Sequence, residues 1–103
     1  VVITNGELNP GYQVVQSTHS IADFAHTYKD IFDNWKQESN SIICLSAKNK
    51  EHLQTIYEKF LRMTPTVIFY EPDVDEHTSI CLYGTPDVRK KLSHLPLSLK
   101  KQN

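Results

Sequence analysis

Residues 41–71 read SIICLSAKNKEHLQTIYEKFLRMTPTVIFYE, a strand, a helix and a second strand in immediate succession. "SIICLSA" is apolar at nearly every position, the pattern expected of an inner strand covered on both faces. Asn49 then offers an N-cap, and Glu51 places an acid in the first turn, where the positive end of the helix dipole favours it. His52 stands where a capping box needs Glu or Gln, so the box is incomplete. Leu53, Ile56, Tyr57, Phe60 and Leu61 repeat at helical spacing beyond that start. "PTVIFYE" follows as the next strand. Strands separated by helices need crossovers, so the first pairings are expected to be parallel and the architecture α/β.

Upstream of this unit, "VVIT" is a short β-branched strand and "NGELNPG" is turn chemistry. The chain opens without a methionine, so the first strand is expected to be cut short. Asn9 can cap a helix whose first position is Pro10, and that helix should run to about Tyr28. Within it, "GYQVVQSTHS" (11–20) sets Tyr12, Gln16, His19 and Asp23 on one stripe. Val14, Val15, Thr18, Ile21, Ala22 and Ala25 fall on the other, which is expected to pin the helix to the sheet. "KDIFDNWKQ" forms a second, short helix that buries Ile31, Phe32 and Trp35.

Downstream, "TSICLYG" is a fourth strand, joined to the third by the acidic loop "PDVDEH", short enough for a hairpin. Thr85 and Pro86 repeat the cap-plus-proline start ahead of "DVRKKLSHL". The predicted order is β-α-α-β-α-β-β-α. It implies a single domain over 1–103, a three-layer α/β sandwich with a mixed four-stranded sheet and helices on both faces.

The composition of the 103 residues, 39% hydrophobic and 22% charged, suits one compact domain with a modest core. Eleven basic and twelve acidic side chains leave a formal charge of -1, so no global field draws the chain to nucleic acid or an acidic membrane. The one basic patch is at the C-terminus: Arg89, Lys90, Lys91, Lys100 and Lys101 beside His94, either an RNA contact or a solvated helix face and tail. Cys44 and Cys81 sit in apolar runs and are expected to be small core residues rather than a disulfide framework. No run approaches the roughly 18 apolar residues of a membrane span, and no basic-then-apolar leader is present, so a soluble, reducing, cytoplasmic setting is expected.

Motifs for nucleophile elbows, phosphate loops, dinucleotide binding and zinc proteases are missing, and three glycines leave little material for a phosphate cradle. The five histidines lack a cysteine or carboxylate at zinc-ligand spacing, and no metal or other cofactor is expected. His19 and Asp23 are four apart on a helix. They form either an imidazole held by a carboxylate, suited to base or anchor work, or an ordinary surface pair. Glu71-Pro72-Asp73 lies at the carboxyl end of a strand, where open α/β sheets bind ligands, or is simply a solvated turn.

Three segments, "LNPGYQVVQSTHSIADFA", "NWKQESNSIICLSAKNKEHLQTIYEKF" and "TSICLYGTPDVRKKLSHLPL", taken in order, resemble the second type of peptidyl-tRNA hydrolase over nearly the whole chain. That family's early helix runs Gly-Lys-x-Ala-Ala-Gln-Cys-Ser-His. Gly11, Gln16 and His19 match it, whereas Tyr12 replaces the lysine. "SICLYGTP" matches the family's strand before the closing helix. Where the family has an Asp-Ala-Gly-x-Thr loop, this chain has Glu71-Pro72-Asp73-Val74-Asp75, and the loop is shorter. The catalytic lysine, aspartate and threonine are thus all replaced, and the chain looks closer to the divergent branch called peptidyl-tRNA hydrolase domain-containing proteins.

The resemblance implies hydrolysis of the ester between peptide and tRNA. Such chemistry needs a base for water, an oxyanion donor and cationic phosphate contacts. Glu71 and His19 are the candidate catalytic residues, with Tyr12, Gln16 and Asp73 as candidate substrate contacts and Tyr12 offering a stacking face. The alternative is a non-catalytic module that keeps the fold and holds RNA, a nucleotide or a protein. The family often forms dimers, and Phe24, Trp35 or Leu97 could serve such a homodimer contact.

Overall fold

The computed structural model describes residues 1–100, so Lys101 of the basic tail lies outside the described residues. Four strands and four helices follow one another as β1 (Val2–Asn5), α1 (Pro10–Thr27), α2 (Lys29–Glu38), β2 (Cys44–Ala47), α3 (Lys50–Leu61), β3 (Thr66–Glu71), β4 (Glu76–Leu82) and α4 (Pro86–Lys91). The sheet order is β2-β1-β4-β3, with β1 and β2 parallel and both pairings of β4 antiparallel. This is the α/β class, element order and mixed sheet that the sequence predicts.

Pleating divides the two cores. Ile3, Leu45, Ile80 and Leu82 meet Leu53, Ile56 and Phe60 of α3 and Val88, Leu92 and Leu95 around α4. On the opposite face, Val2 and Cys81 meet Phe24 of α1, with Ile21, Tyr28, Ile31, Phe32 and Val67 around them. Helices therefore cover both faces.

Three expectations about packing need correction. The strand "SIICLSA" is an edge, not an inner strand; the inner strands are β1, buried throughout, and β4. The β2 edge is covered by the chain after α4, through Ser46 N–H to Pro96 O and Ser98 N–H to Cys44 O, both 2.9 Å, and a bridge between Leu45 and Leu97. An edge position leaves Cys44 exposed, while Cys81 on β4 is buried. No residue of α2 is fully buried, because Ile31, Phe32 and Trp35 stand partly off the sheet.

The third correction concerns α1. Its buried residues are Gln13, Gln16, Ser20 and Phe24, whereas Val14 and Val15 are 54% and 48% exposed. The helix is docked through a polar stripe. Gln13 Nε2 donates to Leu8 O (2.6 Å) and Gly6 O (3.3 Å), tying down the loop before the helix. Ser17 and Thr4 hydroxyls share a bond of 2.6 Å. Between Phe69 and Tyr70 the β3–β4 register slips, leaving Thr78 as the extra residue of a bulge. Bulges re-aim side chains, and here two successive hydroxyls reach one residue. Thr78 Oγ1 donates to Gln16 Oε1 (2.5 Å) and Ser79 Oγ to Gln16 O (2.6 Å). Only the last turns of α1, at Phe24, are held by hydrocarbon.

Asn9 caps α1 through Tyr12 N–H (2.8 Å), and Asn49 caps α3 through His52 N–H (2.8 Å). The capping box stays incomplete, as expected, but His52 Nδ1 accepts the N–H of Lys48, the residue before the cap, at 2.9 Å. That bond requires a neutral imidazole. Burial first, then the charges of Lys48 and His94, hold His52 below its ordinary 6.5. The group is favoured neutral when folded, so its contribution is complete above pH 6.5 and declines as pH falls toward the lowered folded value. Urea midpoints of the wild type should therefore drop through this window, and those of His52→Gln, which cannot titrate, should drop less.

The reversed helix face gives a second test. Val15→Ser should change stability by no more than about 0.5 kcal/mol. Thr78→Val, which leaves Gln16 Oε1 buried without a donor, should cost about 1–3 kcal/mol in urea denaturation.

Candidate functional site

Because β4 runs against both β1 and β3, the carboxyl ends of β1, β2 and β3 lie together. The starts of α1 and α3 rise from this end, and β3 finishes there in Glu71. The four-residue turn from Pro72 to Asp75 closes with Val74 N–H to Glu71 O and Asp75 N–H to Pro72 O, each 3.3 Å. Asp75 takes φ 52°, a left-handed conformation that aspartate tolerates better than most side chains.

Helix α1 passes antiparallel to β3. Tyr12 comes beside Glu71 and Asp73, His19 meets Phe69, and Phe24 packs in the cluster with Val67. Glu71 is only 8% exposed. Its carboxylate makes no ion pair among the described residues. The Tyr12 hydroxyl is shut off from solvent and has no hydrogen-bond partner there. Loss of solvent, then the negative charges of Glu71 and Asp73, raise the phenol above its ordinary 10. Tyr12 is therefore a protonated donor at neutral pH.

The His19 ring lies flat on Phe69, with centroids 4.5 Å apart and planes 3° from parallel. Phe69 and Glu71 are two residues apart on one strand and share a face, so this stack borders the Tyr12–Glu71 pair. His19 and Asp23 are both exposed, and neither ion-pairs within the described residues, so a carboxylate-held imidazole is not formed. At Gly11 a Cβ would meet only Asn9 Oδ1, at 3.8 Å, leaving the helix start open to approach.

The five predicted site residues thus sort into three groups. Tyr12, Glu71 and Asp73 come together at the carboxyl end; His19 flanks them on the same face; Gln16, at 1% exposure, is a buried positioning residue rather than a solvent-facing donor. Phe69, Thr78 and Ser79 belong to the arrangement and escape sequence reasoning. The signal for the last two is a pair of successive hydroxyls in β4, Thr78 and Ser79, facing the polar Gln16 of α1. Of the suggested dimer contacts, Phe24 is core, Trp35 is half-buried, and Leu97 is exposed at 59%.

Charge is unevenly placed. Besides Glu71, Asp73 and Asp75, the carboxyl end holds Glu76, which pairs with Lys50 at 3.3 Å. Arg89, Lys90 and Lys91 are exposed on α4, which starts at the opposite end of the sheet and leads back toward Pro96 beside Ser46. No group of three or more His, Cys, Asp or Glu among the described residues is placed to hold a metal ion, and no described helix is long and apolar enough to cross a membrane. No protein-family model matches the chain, and no curated protein matches it.

The position of Tyr12 between two carboxylates is open to titration. Glu71→Gln together with Asp73→Asn should lower the Tyr12 phenol toward 10 without reaching it, because burial remains. Tyrosine Cζ chemical shifts followed from pH 8 to 12 would read this, and an unchanged titration would remove the acids from the neighbourhood of Tyr12.

Proposed function

We propose that this chain is a peptidyl-tRNA hydrolase-like domain whose reaction centre is the pair Glu71 and Tyr12. The observation that carries the reading is a carboxylate, on a residue only 8% exposed and without an ion pair among the described residues, near a protonated phenol and bordered by a stacked aromatic pair. In this reading a water attacks the ester carbonyl carbon and Glu71 accepts its proton. Tyr12, whose hydroxyl the incoming ester must first uncover, donates to the oxyanion that develops, and the bond to the tRNA ribose oxygen breaks, that oxygen leaving with the proton Glu71 took. His19 on Phe69 presents a flat face on which the terminal base of the acceptor end stacks. Gln16, locked by Thr78 and Ser79, sets the rotation of α1 and hence the aim of Tyr12. The matches at Gly11, Gln16 and His19 support the same family, and a cytoplasmic setting belongs with this substrate.

A second reading, a binding module without turnover, is favoured by one observation: the charges that act on Tyr12 among the described residues, those of Glu71 and Asp73, are both negative, where hydrolysis would call for a cationic phosphate contact. The two part on single-turnover assays with peptidyl-tRNA. Glu71→Gln should slow ester cleavage by about 10²–10⁴-fold. Tyr12→Phe should lose about 10²–10³-fold. His19→Ala should act mainly through binding, weakening it by roughly tenfold as one stacked base is lost. Glu71→Gln cleaving as fast as wild type would remove the assigned base. Salt-sensitive tRNA binding without turnover would leave the module.

A further inference from the structure

The amino end of the parallel strands holds a cavity of about 330 Å³, remote from Glu71. Its floor is Val2 and Cys81, and its walls are Phe24 of α1 and Phe32 and Trp35 of α2. This is why α2, with a clear apolar stripe, buries no residue fully: the stripe faces a space rather than the sheet. The volume lies at the small end of ligand pockets, roughly 300–1,000 Å³, and fits one or two rings.

Polar groups along these walls are already engaged. Trp35 Nε1–H donates to Ser41 O at 2.8 Å, and the Thr85 hydroxyl accepts Val88 N–H at 3.3 Å. Water inside would find few partners and is readily displaced by an apolar body. At the mouth stand Arg89 and, at the end of α2, Glu38. Arg89 has no carboxylate within ion-pair distance among the described residues. Its stem runs over Gly84, where an added Cβ would collide with Val1 Cγ2 at 2.7 Å and crowd Arg89 Cγ at 3.3 Å. The bare glycine lets Val1 and the Arg89 methylenes close over this wall, leaving the planar guanidinium free for a carboxylate.

We propose that this cavity binds a small aromatic carboxylate, with its rings against Phe32, Trp35 and Cys81 and its carboxylate on Arg89. The site is independent of the reading given to Glu71. Trp35 is the sole tryptophan, so its fluorescence reports on the cavity directly. Titration of the full chain with 2-naphthoate should give a saturable one-to-one change, at least about tenfold tighter than with 2-naphthalenemethanol or 2-naphthylmethylammonium. Arg89→Met should abolish that preference and leave the neutral probe's affinity nearly unchanged.

A measurement without mutation guards against a misfolded variant. Cys81, pushed up to about 11 by burial, should alkylate slowly and more slowly still with 2-naphthoate bound, while exposed Cys44 keeps its rate. Absence of saturation with all three probes, tightest binding of the cation, an Arg89→Met variant that retains the preference, or an unprotected Cys81 would each overturn the proposal.

Discussion

The rotation of α1 about its own axis is fixed by hydrogen bonds, and the layout of the carboxyl end follows from it. Gln16 is almost wholly removed from water and takes one bond on its side chain and another on its carbonyl from consecutive hydroxyls of the β4 bulge. Each such bond adds only about 1 kcal/mol net, but an unmade one in this setting costs about 1–3 kcal/mol. That asymmetry makes the contact directional in a way that a leucine stripe is not. With Gln16 facing the bulge, Tyr12 four residues earlier must face the end of β3, and His19 three residues later comes over Phe69. Val14 and Val15 are left outside by the same rotation.

This clamp also explains where hydropathy misleads. Cap residues, proline starts and the α3 period all state local backbone chemistry; α1 and α3 are present within a residue or two of their expected ends, and α4 starts at its cap but stops at Lys91, four residues short of the expected Leu95. The face of α1 is different. Its stripe of Gln13, Gln16, Ser17 and Ser20 has helical spacing but polar side chains, and apolar-in reasoning assigns such a stripe to solvent. Only the partner hydroxyls of Thr4, Thr78 and Ser79 reverse that assignment, and they come from strands far away in the chain. Strand order is hidden for a similar reason: "SIICLSA" is apolar enough for an inner strand because its free edge is covered by residues 96–98. Of the candidate site, the positions of Tyr12, Glu71 and Asp73 at one end were legible from strand direction. The stacking of His19 on Phe69, in place of a pair with Asp23, depended on tertiary contact.

The formal charge of -1 is unevenly spread: Glu71, Asp73, Asp75 and Glu76 gather where β3 turns into β4, with Lys50 paired to Glu76, while Arg89 lines the cavity at the other end of the strands. In the proposed hydrolase reading the esterified end, rather than a phosphate, reaches the acidic cluster, where a phosphate would be repelled. The apolar cavity beside Arg89 opens at the other end of the strands, so the field of Glu71 is largely screened there over a Debye length of about 8 Å.

Tyr12 is where the two readings of the acidic cluster separate. A cation at its position would neutralise Glu71 and Asp73 and anchor a phosphate. A phenol neutralises nothing, and the same acids that surround it keep its proton in place. The cluster therefore combines an uncompensated carboxylate with a donor that does not ionise near neutral pH. A hydroxyl donor is suited to an oxygen on which negative charge develops, while an uncompensated carboxylate is suited to a proton or a cation. Both demands are met by water attacking an ester, whereas a ligand held in its ground state would need only one of them. In the proposed hydrolase reading, turnover rather than affinity is consequently the property that the Tyr12–Glu71 arrangement would improve most.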